Sequence, residues 1–135
     1  MLNSKPEILN SKQTQMSKTQ NSKPYDLGDR TFRFAKMVRS YVKNLPKTLG
    51  NIEDGKQLIK ASGSVGANYI GAEEALSKKY FVMRIKISRK EAKESKYWLQ
   101  LTESKEEQIN EKQDLIKEAT ELTKIFGSIV EKSKC

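Results

Sequence analysis

From Asp29 onward the apolar residues recur at intervals of three and four, and four stretches carry that pattern. In the first, about Asp29 to Leu45, Phe34, Val38, Tyr41, Val42 and Leu45 share one helical face, and Arg33, Lys36, Arg39 and Lys43 share the other. Asp29 is its expected N-cap, Pro46 its stop, and Leu49-Gly50-Asn51 the turn that follows. The second, about Ile52 to Leu76, has a seam of Leu58, Ser62, Val65, Tyr69, Ala72 and Leu76, with no charge from Ala61 to Ala72. The third, about Lys78 to Thr102, alternates by four and three through Phe81, Ile85, Ser88, Ala92, Ser95 and Leu99. The fourth, about Asn110 to Val130, gathers Leu115, Ala119, Leu122, Phe126, Ile129 and Val130 on one face, with Asn110 as N-cap and Gln113 as its partner. Short connections between four amphipathic helices predict an all-α fold, an up-down-up-down four-helix bundle.

The second helix carries a further apolar strip, Ile59, Gly63, Gly66 and Ile70, roughly a third of a turn from the first. A glycine inside a helix costs about 1 kcal/mol relative to alanine. Gly63, Gly66 and Gly71 therefore call for a compensating close approach. Two readings fit. Either a second subunit covers this strip, making Ile59, Gly63, Gly66 and Ile70 an oligomer interface, or the helix lies deep inside a monomer.

Residues 1–24 break the pattern. Sixteen of the 24 are Asn, Ser, Lys, Gln or Thr, and the tripeptide Asn-Ser-Lys recurs at Asn3, Asn10 and Asn21. So few apolar residues do not offset the entropy of ordering, so this stretch is expected to be a disordered tail and residues 25–135 the folded domain. The tail is either a loose electrostatic tether or an extension without a role.

Composition narrows the chemistry. The 135 residues include 26 Lys and Arg against 17 Asp and Glu, a formal charge of +9, and no His. That removes the commonest general base and the commonest metal ligand. The single cysteine, Cys135, excludes an internal disulfide framework and a cysteine zinc site. No apolar run reaches membrane-spanning length and no signal-peptide core opens the chain, so a cytoplasmic location is expected, without membrane, metal or cofactor.

Glu73-Glu74 and Glu91 with Glu94 are the carboxylate clusters beside the helical motifs. They lack a nucleophile, a His partner or a phosphate-binding loop, so a structural role is expected and no catalytic residue is assigned. Asn68, Arg84, Glu91 and Glu94 fall on adjoining sides of the second and third helices and form a candidate polar network that fixes register. Tyr97 and Trp98 are read as packing residues rather than a stacking platform.

The sharpest functional signal is a basic stripe on the third helix. Lys78, Lys79, Lys86, Arg89, Lys90, Lys93 and Lys96 lie within about 120° of its surface, with no acid among them. Like charges at i,i+4 repel by a few tenths of a kcal/mol per pair. A solvated face is one reading of such a run; a site for phosphate backbone, repeated around an oligomer, is the other.

The stretch Ala61–Leu101 resembles the small bacterial four-helix-bundle proteins known as 23S rRNA intervening-sequence proteins. Ser-Val-Gly-Ala-Asn-Tyr-Ile (64–70), Glu74-Ala75, Ser77-Lys78-Lys79, Phe81 and Lys-Glu-Ala-Lys-Glu-Ser-Lys-Tyr-Trp-Leu (90–99) carry the resemblance, which extends more weakly from Leu27 to Pro46 and into the last helix. It implies a four-helix protomer in a ring-like homo-oligomer, typically a pentamer. It also implies kinship with the accessory protein of diversity-generating retroelements, a basic barrel that works beside a reverse transcriptase and nucleic acid. Gly71 and Tyr80 stand where that pattern has Glu and Asp, so any polar network built on those acids is altered here. Two functions are then expected to compete: a non-enzymatic nucleic-acid-binding accessory factor acting on RNA or a ribonucleoprotein, and an oligomeric scaffold for an acidic protein partner.

Overall fold

Each apolar stripe described above becomes the inner face of one helix. The computed structural model describes residues 26–134; the expected tail lies outside them. Four helices follow in order: α1 (Leu27–Lys43), α2 (Leu49–Glu73), α3 (Lys78–Leu101) and α4 (Ile109–Lys132), the last preceded by a 3₁₀ turn, Glu106–Gln108. No strand occurs among the described residues, and no helix among them is long and apolar enough to cross a membrane.

The helix starts differ from expectation because side-chain oxygens compete for the free amide donors of the first turn. Asp26, not Asp29, caps α1, its carboxylate accepting from the Asp29 amide at 2.8 Å. Thr48 caps α2 by accepting from the Asn51 amide at 3.1 Å, so Leu49-Gly50-Asn51 is its first turn rather than a separate loop. Ser77 caps α3 through the Tyr80 amide at 3.1 Å. Asn110 does not cap α4, because the 3₁₀ turn carries the chain into that helix through Gln108.

Sequential helices pack on one another and α1 returns to α4, closing a ring of four in which α1 and α3 lie on a diagonal. Phe34, Val38, Tyr41 and Leu45 of the first face meet Leu58, Val65, Ala72, Ile85, Ala92, Leu99, Leu115, Leu122 and Phe126 in one core. The α3 seam is buried as its spacing demands, with Phe81 half-buried. Small residues in this seam allow close approach: Ser88 donates to the Val65 carbonyl of α2 at 2.9 Å. Leu76, by contrast, is fully exposed, because α2 ends at Glu73 before the seam reaches it. At the α1–α4 seam Arg30 grips Glu118 through two bonds of 2.7 and 2.9 Å.

One end of the bundle is bound by polar contacts. Asn51, at the start of α2, donates to the carbonyls of Pro46 and Glu103 at 3.0 and 2.9 Å and accepts from the Glu103 amide at 2.9 Å. Beside it the Tyr41 hydroxyl meets Thr102 Oγ1 at 2.8 Å, and Gln108 donates to the Tyr41 carbonyl at 3.1 Å. Lys112 adds a bond to the Thr102 carbonyl at 2.7 Å. The opposite end carries the α2–α3 turn.

The helical glycines find their close approaches inside the protomer. A Cβ on Gly66 would sit 2.9 Å from Thr31 Oγ1 of α1. Gly63 lies under the Arg39 guanidinium of α1, and Gly71 lies under that of Arg84 of α3. The requirement read from Gly66 is thus met by α1, although the strip containing it still reaches the surface at Ile70, which is 60% exposed.

Candidate nucleic-acid interface

Because α3 turns its Ile85–Leu99 seam inward, its cations must point outward. Lys78, Lys79, Lys86, Arg89, Lys90 and Lys93 are all exposed, and Lys96 is half-buried. Lys79, Lys86 and Lys93 repeat every seven residues, which places them about 10.5 Å apart along one line of the helix. Two shallow hollows follow the line. Ser77, Lys79, Tyr80, Met83 and Lys86 border one of about 740 Å³. Lys86, Arg89, Lys90, Lys93 and Glu94 border the next, of about 380 Å³.

The stripe is not free of acids. Lys90 Nζ lies 3.5 Å from Glu91 and 3.5 Å from Glu94. Glu91 first, then Glu94, raises the Lys90 pKa above its ordinary value, so its positive charge is opposed by two neighbouring carboxylates. Among the described residues Lys79, Lys86, Arg89, Lys93 and Lys96 have no ion pair. The effective row is therefore the heptad line of Lys79, Lys86 and Lys93 with Arg89 beside it. Lys78 and Lys79 open α3, whose first turn holds no acid, so their charge adds to the positive end of the helix dipole.

The expected polar network divides in two. Arg84 Nη1 donates to Asn68 Oδ1 at 2.7 Å, and Asn68 Nδ2 donates to the Ser64 carbonyl at 2.9 Å. Glu91 and Glu94 take no part in that pair, since both turn to Lys90. Arg84 completes its bonds with the Tyr80 hydroxyl, from Nε at 2.9 Å and Nη2 at 2.6 Å. The departures at Gly71 and Tyr80 fit together here. A Cβ on Gly71 would come within 3.1–3.2 Å of the Arg84 side chain, so glycine leaves room for the guanidinium that tyrosine then holds.

Trp98 packs against the core, as expected. Tyr97 meets it edge-on at 5.0 Å but is itself 56% exposed. No group of three or more His, Cys, Asp or Glu among the described residues is arranged to hold a metal ion.

Residues 24–128 match the sequence profile of the 23S rRNA-intervening sequence proteins. The chain belongs to the 23S rRNA-intervening sequence protein family. A crystal structure from Bacteroides thetaiotaomicron VPI-5482, described as a protein with unknown function from the S23 ribosomal protein family, is similar to this family member in sequence and fold. The two are 30% identical over 77% of this chain and 94% of that one, with a TM-score of 0.67. No curated relative matches. Sequence spacing locates the family member's basic row but not the Lys90 pairing or the Arg84–Tyr80 bond. The Glu94-to-Lys90 separation of four, a favourable helical ion-pair spacing, is the signal for the first.

Proposed function

We propose that this 23S rRNA-intervening sequence protein is a non-enzymatic, cytoplasmic accessory factor that holds nucleic acid, RNA or a ribonucleoprotein, by its phosphates along α3, as a ring of identical subunits. The observation that carries the reading is the row of exposed α3 cations, in which Lys79, Lys86, Arg89 and Lys93 have no carboxylate partner among the described residues while Lys90 is paired with Glu91 and Glu94. Such a row offers point charges at regular intervals and no base-reading geometry, which favours sequence-independent backbone contact. The family name ties its members to an intervening sequence of 23S rRNA, which puts structured rRNA first among probes. Assembly is supported by the α2 strip, where Ile70 is 60% exposed and Ile59 half-buried, and by Ile52, outside that strip and one heptad before Ile59, which is 42% exposed.

The competing scaffold reading draws on Met83, Tyr97 and Leu101, apolar groups exposed among the same cations. Filter binding with structured RNA, single-stranded DNA and duplex DNA separates the two. Changing Lys79, Lys86 and Lys93 together to Gln should lower affinity by a similar factor for every sequence. It should also reduce the slope of log affinity against log salt by roughly 0.7–0.9 for each phosphate no longer neutralised. Unchanged affinity and slope would refute the phosphate reading and leave the scaffold ahead.

A further inference from the structure

Charge is not spread evenly over the ring of helices. α3 holds eight basic and two acidic residues, and α1 holds five and one. α2 holds two basic and three acidic, and α4 four and five. Since α1 and α3 are diagonal, the bundle has two positive faces turned away from each other, separated by near-neutral helices. A bundle of helices about 10 Å apart, each about 10–12 Å thick, puts these faces more than 20 Å apart.

The outward side of α1 has its own chemistry. Lys36, Arg39 and Lys43 are exposed there, and Arg30 is drawn away to Glu118 on the α4 side. Phe32 stands among them 65% exposed, although a phenylalanine on a solvated face gains nothing from burial. An exposed aromatic flanked by unpaired cations is the arrangement that holds single-stranded nucleic acid: the ring stacks on a base while the cations take the phosphates on either side. Because every base has a π-face, such a site is tolerant of sequence. A duplex, with its bases stacked inside, offers Phe32 nothing.

We infer that α1 carries a second nucleic-acid contact, in which Phe32 stacks on an unpaired base while Lys36, Arg39 and Lys43 hold the phosphates around it, so that one protomer joins two strand segments. The inference rests on the phosphate reading of α3 only in making the protein a two-strand linker; the α1 site stands or falls by its own variants.

The experiment is a saturation titration of the full chain at low salt with a hexanucleotide RNA, too short to serve both faces well. The wild type should saturate at two strands per chain, and the Lys36→Gln, Lys43→Gln double variant at one. Phe32→Ala should weaken the α1 site by roughly tenfold or more, and Phe32→Leu, which keeps an apolar side chain without the aromatic face, should do the same. A hexanucleotide duplex stabilised by a hairpin should bind only once. All these positions are exposed, and helical content by circular dichroism checks that the fold persists. Saturation of the wild type at one strand, or two strands retained in the α1 double variant, overturns the second contact. Full affinity in Phe32→Leu overturns the stacking of Phe32 on a base. If the α3 triple variant still takes two strands while the α1 variants lose one, the α3 reading falls and the α1 site survives.

Discussion

Gly66 and Gly50 lie in the same helix and should answer substitution by alanine with opposite signs. At Gly66 the added methyl meets Thr31, a buried β-branched residue whose hydroxyl is already tied to the carbonyls of Leu27 and Gly28 at 2.8 and 3.1 Å. That neighbour cannot rotate away, so Gly66→Ala should cost about 1–3 kcal/mol. Around Gly50 nothing lies within 4 Å, and alanine should stabilise by about 0.5–1 kcal/mol. Urea unfolding of both variants checks the pair; a stabilised Gly66→Ala would show that α1 does not approach so closely. Tyr41 gives a pH-dependent case. Burial above all raises its pKa beyond the ordinary value of 10.0. The unfolded chain releases that proton near pH 10 while the folded protein keeps it, so stability present below pH 10 is lost as pH rises through the folded value. Tyr41→Phe should cost about 1 kcal/mol at neutral pH, because the hydrogen bond to Thr102 is removed, and flatten the alkaline decline. Unfolding midpoints measured at pH 8 and near pH 11 test both effects, with Tyr69, also raised by burial, left as a residual slope.

For the elements, periodicity is a sufficient guide to faces and an insufficient one to ends. The inward residues of α1, α3 and α4 follow from spacing alone, because hydrophobic burial acts on every third or fourth position whatever the neighbouring helix. Termini depend on one side chain meeting one amide, so Asp26 displaces Asp29 by reaching the Asp29 amide itself. Asn51 reads as part of a turn because its bonds run to Pro46 and Glu103, and the second is 52 positions away. The same limit hides Arg84–Tyr80: i,i+4 spacing allows that contact, but the space for it is made by Gly71 on another helix. On α3 the pairing of Lys90 makes a graded prediction. Lys90→Gln alone should change nucleic-acid affinity less than Lys86→Gln alone, since Glu91 and Glu94 already oppose the Lys90 charge. Equal losses, measured by the same filter titration, would mean that ligand displaces both carboxylates.

At the scale of the molecule, the protomer accounts for part of what the sequence attributed to assembly. Gly66 serves α1, so changing it to a larger residue would damage the fold and say little about subunits. Ile70 is the better probe, being apolar, exposed and clear of the core. Ile70→Lys should leave the unfolding midpoint nearly unchanged and release monomers in sedimentation velocity at micromolar concentration, where the wild type should sediment as an oligomer. A wild type that sediments as a monomer would end the proposal of a ring. A subunit number is not legible in one chain's residues, because symmetry is set by the angle at which two surfaces meet.

The polar fastening of one bundle end has a consequence for the order in which the molecule comes apart. Asn51, Tyr41, Thr102, Gln108 and Lys112 hold three chain segments together there, whereas the opposite end has the α2–α3 turn, with Leu76 projecting into water. Opening should start at that turn and travel toward the fastened end, as a zip runs from its free teeth. Deuterium uptake should therefore appear first between residues 74 and 79, ahead of the Tyr80–Arg84–Asn68 bonds, and last around Asn51 and Leu99. The lysines that begin the basic row, Lys78 and Lys79, sit on the segment that loosens first, so a bound polyanion should slow exchange there more than anywhere else in the bundle.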